Sequence, residues 1–389
     1  HANRRFSGAA QRLKQLRSEE SQLASGMPTT MVMQESQQPR PAFVLHRGQY
    51  DQNGEAVTAG VPAFLTEGHV GNQPNRLDMA KWLINPRHPL TARVTVNRLW
   101  QQLFGAGIVK TVDDFGTQGD WPSHPQLLDW LATELIASGW DVKHLLRLIV
   151  NSATYRQSSV CSPQLLLQDR DNRLLARGVR FRMDAEILRD QALAISGLLV
   201  EKTGGQSVFP YQPAGLWKDV TYDGNRSYPT GHGPMSLYRR SLYTFWKRTA
   251  PAPVMMSLDA AKREVCVVKR ERTASPLQAL VLLNDPQFVE AARVLGQRML
   301  QKHGDDIDAA AAEMFRVLTG RQPSPAERKI LRKLYDEQLR DFQKDIAKAE
   351  RLLKIGDAPR DASIATPRLA AAAVLASVLM NFDESVMKR

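Results

Sequence analysis

Apolar residues recur every three to four positions along most of this chain, most regularly between Asn85 and Tyr155. Val94, Val96, Leu99, Trp100, Leu103 and Phe104 predict a helix with one buried face, capped by Thr91 and stopped by Gly105 and Gly107. A second helix follows Pro122-Ser123-His124-Pro125, turns Leu127, Leu128, Trp130, Leu131, Leu135 and Ile136 inward, and ends at Ser138-Gly139. The third starts at Asp141 and repeats the period through Val142, Leu145, Leu146, Leu148 and Ile149. These helices and the polar connection from Val109 to Pro125 define a compact helical unit, with the connection as its candidate functional part.

The flanking patterns divide the chain into four. Residues 1–26 are polar and helix-friendly, with Leu13, Leu16 and Leu23 as a thin apolar seam, and read as the tail of a preceding helix. Residues 27–84 are rich in Pro, Gly, Gln and Thr; a strand-like stretch at Met31–Gln34 and turn signals at Asp51–Gly54 and Ala59–Pro62 predict an irregular wrapping segment with short strands. Residues 85–303 form a central helical domain. Beyond Tyr155 it holds a helix opened by Asp184, an irregular excursion from Lys202 to Pro234, and two basic extended segments, Tyr238–Thr249 and Arg263–Arg272. Ser275 and Gln278 are placed for a capping box, and Asp285-Pro286 either kinks that helix or caps a new one. Residues 304–389 are a C-terminal helical subdomain with a capping box at Ser324 and Glu327 and a last helix from Thr366-Pro367. The fold class is therefore mostly α, a multi-helix orthogonal assembly with long irregular loops and a minor β component from the Met31 and Tyr238 regions.

Composition narrows the classes. A chain of 389 residues, 43% hydrophobic, can bury a sizeable core. No run reaches the roughly 18 apolar residues of a membrane helix, and Leu369–Met380 comes nearest. The chain starts at His1 without a charged-then-apolar leader and reads as a processed product or a part of something longer. Cys161 and Cys266 are too few for a disulfide framework and stand in no haem-attachment context; they read as two half-buried thiols or one bridge, and no cofactor is expected in this chain. The formal net charge of +12 favours contact with phosphate, sulfate or carboxylate groups. No base-reading motif occurs, so nucleic acid is not an expected partner.

Three clusters carry candidate chemistry. Asp113, Asp114, Asp120 and His124 supply metal-type donors at a spacing that matches no standard site, so no metal is assigned; the alternative is a turn at Asp114-Phe115-Gly116, a cap at Ser123 or His124 and a packed Trp121. Glu186 and Asp190 lie one helical turn apart, as carboxylates sharing acid and base work would, or as members of a network with Arg182 and Arg189. Should these two clusters meet beside Asn97 and Arg98, they form one polar pocket in which Arg98 or Arg182 orients a carboxylate and Asp114, Glu186 or His124 contacts a ligand or cation. In the third cluster, Arg239, Arg240, Lys247, Arg248, Lys269, Arg270 and Arg272 converge on an anion-binding surface if the two extended segments pair, with Tyr238, Tyr243 and Trp246 interleaved; a solvated strand edge is the alternative. Neither a G-x-S-x-G elbow nor a glycine-rich phosphate loop occurs, which argues against a hydrolase or an ATPase.

The string LTARVTVNRLWQQLFGAGIVKTVDDFGTQGDWPSHPQLLDWLA, with SGWDVKHLLRLIVNSATYRQSS, RFRMDAEILRDQALAISGLL, PYQPAGLW, RRSLYTFWKR, KREVCVVKRERTASPLQALVLLNDPQFVEAA and FRVLTGRQPSPAE, resembles a planctomycete family of unknown function, domain of unknown function 1553. Its members end large exported proteins that often carry a cytochrome c-like module. The resemblance implies export to the periplasm or cell surface, haem c on a preceding domain, and partners among the preceding domains of the same precursor. Two functions stand as expectations: an interaction module that also holds an anionic polysaccharide, or a redox or carbohydrate-active enzyme domain with a polar pocket between the central helices.

Overall fold

The computed structural model describes residues 2–27, 29–36, 38, 40–65, 74–212, 228, 230–247 and 250–388. Helix accounts for 53% of it and strand for 5%. The chain divides into two units, His1–Thr91 and Ala92–Arg389.

In the first unit, α1 (Ala2–Gly26) is followed by an antiparallel hairpin of β1 (Ala42–Leu45) and β2 (Asn53–Val57), with Ala42 opposite Val57 and Leu45 opposite Asn53. Met31–Gln34 is not a strand: Met31, Val32 and Met33 are almost wholly exposed, with no ladder partner among the described residues. The strands form instead on either side of the turn that Asp51 to Gly54 signals. Helix α2 (Arg76–Leu83) has a full capping box, in which Asn75 Oδ1 accepts the N–H groups of Leu77 and Asp78 while the Asp78 carboxylate accepts that of Asn75. Thr91 proves to be the first residue of α3 (Thr91–Phe104) rather than its cap; His88 Nδ1 accepts the N–H groups of Leu90 and Thr91.

The second unit contains two large apolar clusters. Helices α3, α4 (Pro125–Ala137) and α5 (Val142–Val150) build the smaller one around Val96, Leu131, Leu135 and Leu145, as the period of their apolar residues requires. Asp141 caps α5 by accepting the N–H of His144 at 3.0 Å. Next come α6 (Pro163–Gln168), β3 (Phe181–Arg182) and α7 (Ala185–Ser196), which stops at Gly197 in the left-handed region at φ 82°. The short α8 (Pro234–Leu237) and α9 (Pro253–Ser257) precede α10 (Pro276–Asn284) and α11 (Pro286–His303). Asp285 resolves the Asp-Pro alternative: it caps a new helix, its carboxylate accepting the N–H of Gln287 at 3.0 Å.

Helices α12 (Ile307–Thr319), α13 (Pro325–Lys344), α14 (Ile346–Leu353), α15 (Thr366–Met380) and α16 (Asp383–Val386) lead to β4 (Met387–Lys388), which pairs antiparallel with β3. The larger cluster joins α7 and α10 through α15, so apolar residues on both sides of position 303 share one core. At its centre lies α15, with Leu369 to Ala372 fully buried. A helix apolar on all sides belongs in a core or a membrane, and here it is core; among the described residues no helix is long and apolar enough to cross a bilayer. Gly296 of α11 lets the two backbones approach, since a Cβ there would lie 3.0 Å from the carbonyl carbon of Ala372.

Among the described residues, neither basic segment forms a strand. Ser241–Tyr243 is one turn of 3₁₀ helix between isolated bridges at Arg239 and Thr244, and Arg263–Arg272 runs through bends. The paired strands therefore lie at the hairpin and at β3–β4, and the Tyr238 region adds only the isolated bridges at Arg239 and Thr244.

Candidate functional site

The Val109–Pro125 connection organises itself. Asn97 is fully buried and reads the peptide of Val109 with both ends of its amide, each hydrogen bond 2.9 Å long. Gly107 leaves room for this contact, because a Cβ would come within 2.6 Å of the Asn97 amide. The Thr111 hydroxyl donates to Asp114 O and accepts the Asp120 N–H, and Asp114 Oδ1 accepts the Gly116 N–H at 2.7 Å. His124 Nδ1 meets the Ser123 hydroxyl at 3.0 Å, and Ser123 in turn donates to Ile108 O. Trp121 does not pack; it is 89% exposed. Arg98 is exposed and forms no ion pair among the described residues.

The carboxylates of α7 have other partners. Glu186 accepts from Arg270 at 2.6 Å, and Asp184 lies 3.4 Å from Arg272 and 3.9 Å from Arg270. Asp190 accepts both the N–H and the hydroxyl of Ser241 at 2.7 Å. Arg182 Nη2 donates to Asp259 and to Leu258 O, and Asp259 also takes Thr273 and Gln278. Among the described residues, no hydrogen bond or ion pair joins the connection to the start of α7, and no three His, Cys, Asp or Glu side chains converge as metal ligands.

The anion-binding set is likewise dispersed. Arg239 is buried, stacks on Tyr243 and donates to the carbonyls of Lys202, Gly204 and Gln206, so it closes a loop rather than facing solvent. Arg270 and Arg272 serve the α7 carboxylates, and Arg272 also lies over Phe181 and donates to Gly105 O. Arg240 leans towards Asp190 at 3.7 Å, Lys247 is half-buried, Lys269 is exposed, and Arg248 lies outside the described residues. Cys161 and Cys266 are both free thiols.

Buried charge concentrates where α7 meets α11. Arg189, completely enclosed, donates to Leu237 O, Arg239 O, Ser241 and Gln287, and desolvation pulls its guanidinium down to about 10. Burial pushes Asp285 up to about 6 against the opposing pull of its backbone N–H bonds and of Arg189. Further along α11, Glu290 and Arg293 bracket the backbone of a single residue: the Ala358 N–H donates to Glu290 at 2.7 Å, and Arg293 donates to Ala358 O at 2.7 Å. The Tyr238 hydroxyl completes the bracket by donating to Glu290 at 2.8 Å, and burial together with that carboxylate raises its pKa.

Open clefts also occur among the described residues. A groove of about 580 Å³ between α4 and α5 has an apolar floor of Trp100, Leu127, Leu131 and Leu148, with Trp130 half-exposed along it and Arg147 at the rim. A second cleft of about 670 Å³ lies between the end of α3 and the Asp171–Phe181 loop, lined by Cys161, Arg170, Asn172, Arg177 and Arg180. Neither emerges from the patterns that single out the other clusters. The signal for the first is Trp130 on a helix whose other stripe already fills the core; for the second it is four arginines, Arg170, Arg173, Arg177 and Arg180, within one loop.

A helical unit with a self-closed polar connection and open clefts defines an α-helical domain. The chain belongs to the family described as protein of unknown function DUF1553 (PSD1), which it matches over residues 75–335. No curated protein and no solved structure matches it.

Proposed function

We propose that this chain is a non-catalytic interaction module of an exported multidomain protein, and that it docks a cytochrome c-like domain of the same precursor in the groove between α4 and α5. The observation that carries the reading is the groove itself: Leu127, Trp130 and Leu131 of α4 face Leu148 of α5 around about 580 Å³, leaving a large aromatic half-exposed on an otherwise packed cluster. Tryptophan at the centre of an apolar patch with arginine at its edge is the composition that anchors protein interfaces. The candidate acid–base groups support a binding role, since Asp114, His124, Glu186 and Asp190 each already hold a local partner.

Titration of the chain with the isolated cytochrome c-like domain should give a saturable complex that Trp130→Ala and Leu127→Asp each weaken by about tenfold or more. Binding unchanged in both variants would remove the groove from the reading, and turnover traced to Glu186 or Asp190 would favour an enzyme.

A further inference from the structure

We infer that the arginine-lined cleft beside α3 is a binding site for an acidic saccharide, independent of the groove between α4 and α5. Its volume of about 670 Å³ lies in the range of small-molecule sites, and its lining mixes the apolar edges of Phe104, Val179 and Phe181 with polar groups. Asp171 is the single acid in that lining, and Lys110 meets its carboxylate at 3.1 Å. Of the three lining arginines, Arg180 is held by Asp383 at 2.5 Å, whereas Arg170 and Arg177 form no ion pair among the described residues.

Arg177 is oriented rather than neutralised. It donates to the carbonyls of Asp169 and Arg170, at 2.7 and 2.8 Å, so its fork is fixed while its charge is left without a carboxylate. A guanidinium held in this way loses little further freedom on meeting an oxyanion, and its planar donors match a carboxylate or sulfate. Arg170 stands exposed next to it. Arginines left without an acid call for an oxyanion. The apolar lining of Phe104, Val179 and Phe181 suits the faces of a sugar ring, and one bearing a carboxylate or sulfate presents both on one small frame.

The test is calorimetric titration of the full chain with a uronic-acid disaccharide, the neutral disaccharide of the same linkage, and sodium sulfate. The acidic disaccharide should bind at least about tenfold more tightly than either of the others, and Arg170→Glu should lower its affinity by about tenfold or more while Arg170→Lys keeps most of it. Arg170→Glu should melt with the parent chain, because the side chain is exposed and unpaired. Arg147→Glu, at the rim of the other groove, is the control for general charge and should leave the affinity unchanged. Equal binding of the neutral disaccharide, sulfate as tight as the acidic disaccharide, or equal losses in Arg170→Glu and Arg147→Glu would each overturn the assignment.

Discussion

At the scale of single residues, the buried charges of α11 divide into two kinds. Asp285 caps the helix but is largely buried, so desolvation raises its pKa from that of an ordinary aspartate to about 6. The folded chain then holds this proton more tightly than the unfolded one, and the group's contribution to stability falls as pH rises from about 4 to about 6 and is flat above that. Asn caps a helix as well as Asp and does not ionise. Asp285→Asn should therefore gain stability relative to the parent by about 2 kcal/mol between pH 4 and pH 7, measured by urea unfolding at both. Glu290 is the other kind, a carboxylate whose bonds to Tyr238 and Ala358 define the local structure. Glu290→Ala would leave Arg293 buried without its acidic neighbour and should cost about 3–5 kcal/mol. Neither role was legible from the sequence beyond the Asp-Pro cap, because burial of a polar residue depends on segments such as Ala358 that are remote in the chain.

At the scale of elements, what is local was readable and what is non-local was not. The Ser324 and Glu327 box forms as its spacing implies, with the Ser324 N–H on the Glu327 carboxylate at 2.7 Å and the Glu327 N–H on the Ser324 hydroxyl at 3.3 Å. Helices α3, α4 and α5 pack on the faces that their periods mark. Tyr238–Thr249 has the alternation of a strand, yet Ser241–Tyr243 within it is a 3₁₀ turn, with Arg239 inward to loop carbonyls and Ser241 inward to Asp190. No local pattern distinguishes an arginine that seals a loop from one that faces a ligand. For the same reason the basic cluster around Arg239 was more conspicuous in the sequence than Arg170 and Arg177, which carry the exposed charge of the cleft. The α11–α15 contact gives a direct test of packing: Gly296→Ala would press a methyl group on the Ala372 peptide, and it should destabilise by about 1–3 kcal/mol, read as a lowered denaturation midpoint.

At the scale of the second unit, two apolar clusters of different size share one chain, and they need not loosen together. Leu145 is fully buried in the smaller cluster. Leu145→Ala should cost about 2–5 kcal/mol and raise hydrogen exchange first in α3, α4 and α5, with α11 and α15 protected longest. Uniform loss of protection would mean that the clusters unfold as one. The pairing of β3 with β4 bears on the history of the molecule as well as its stability. Arg180 and Asp383, which bond across this junction, are 203 positions apart. A ribosome adding roughly 5–20 residues per second needs about 10–40 s to cover that interval. Throughout it Phe181 and the start of α7 wait without the segment that covers them, so the nascent chain presents a slow, non-local closing step that chaperones can intercept before the fold is complete.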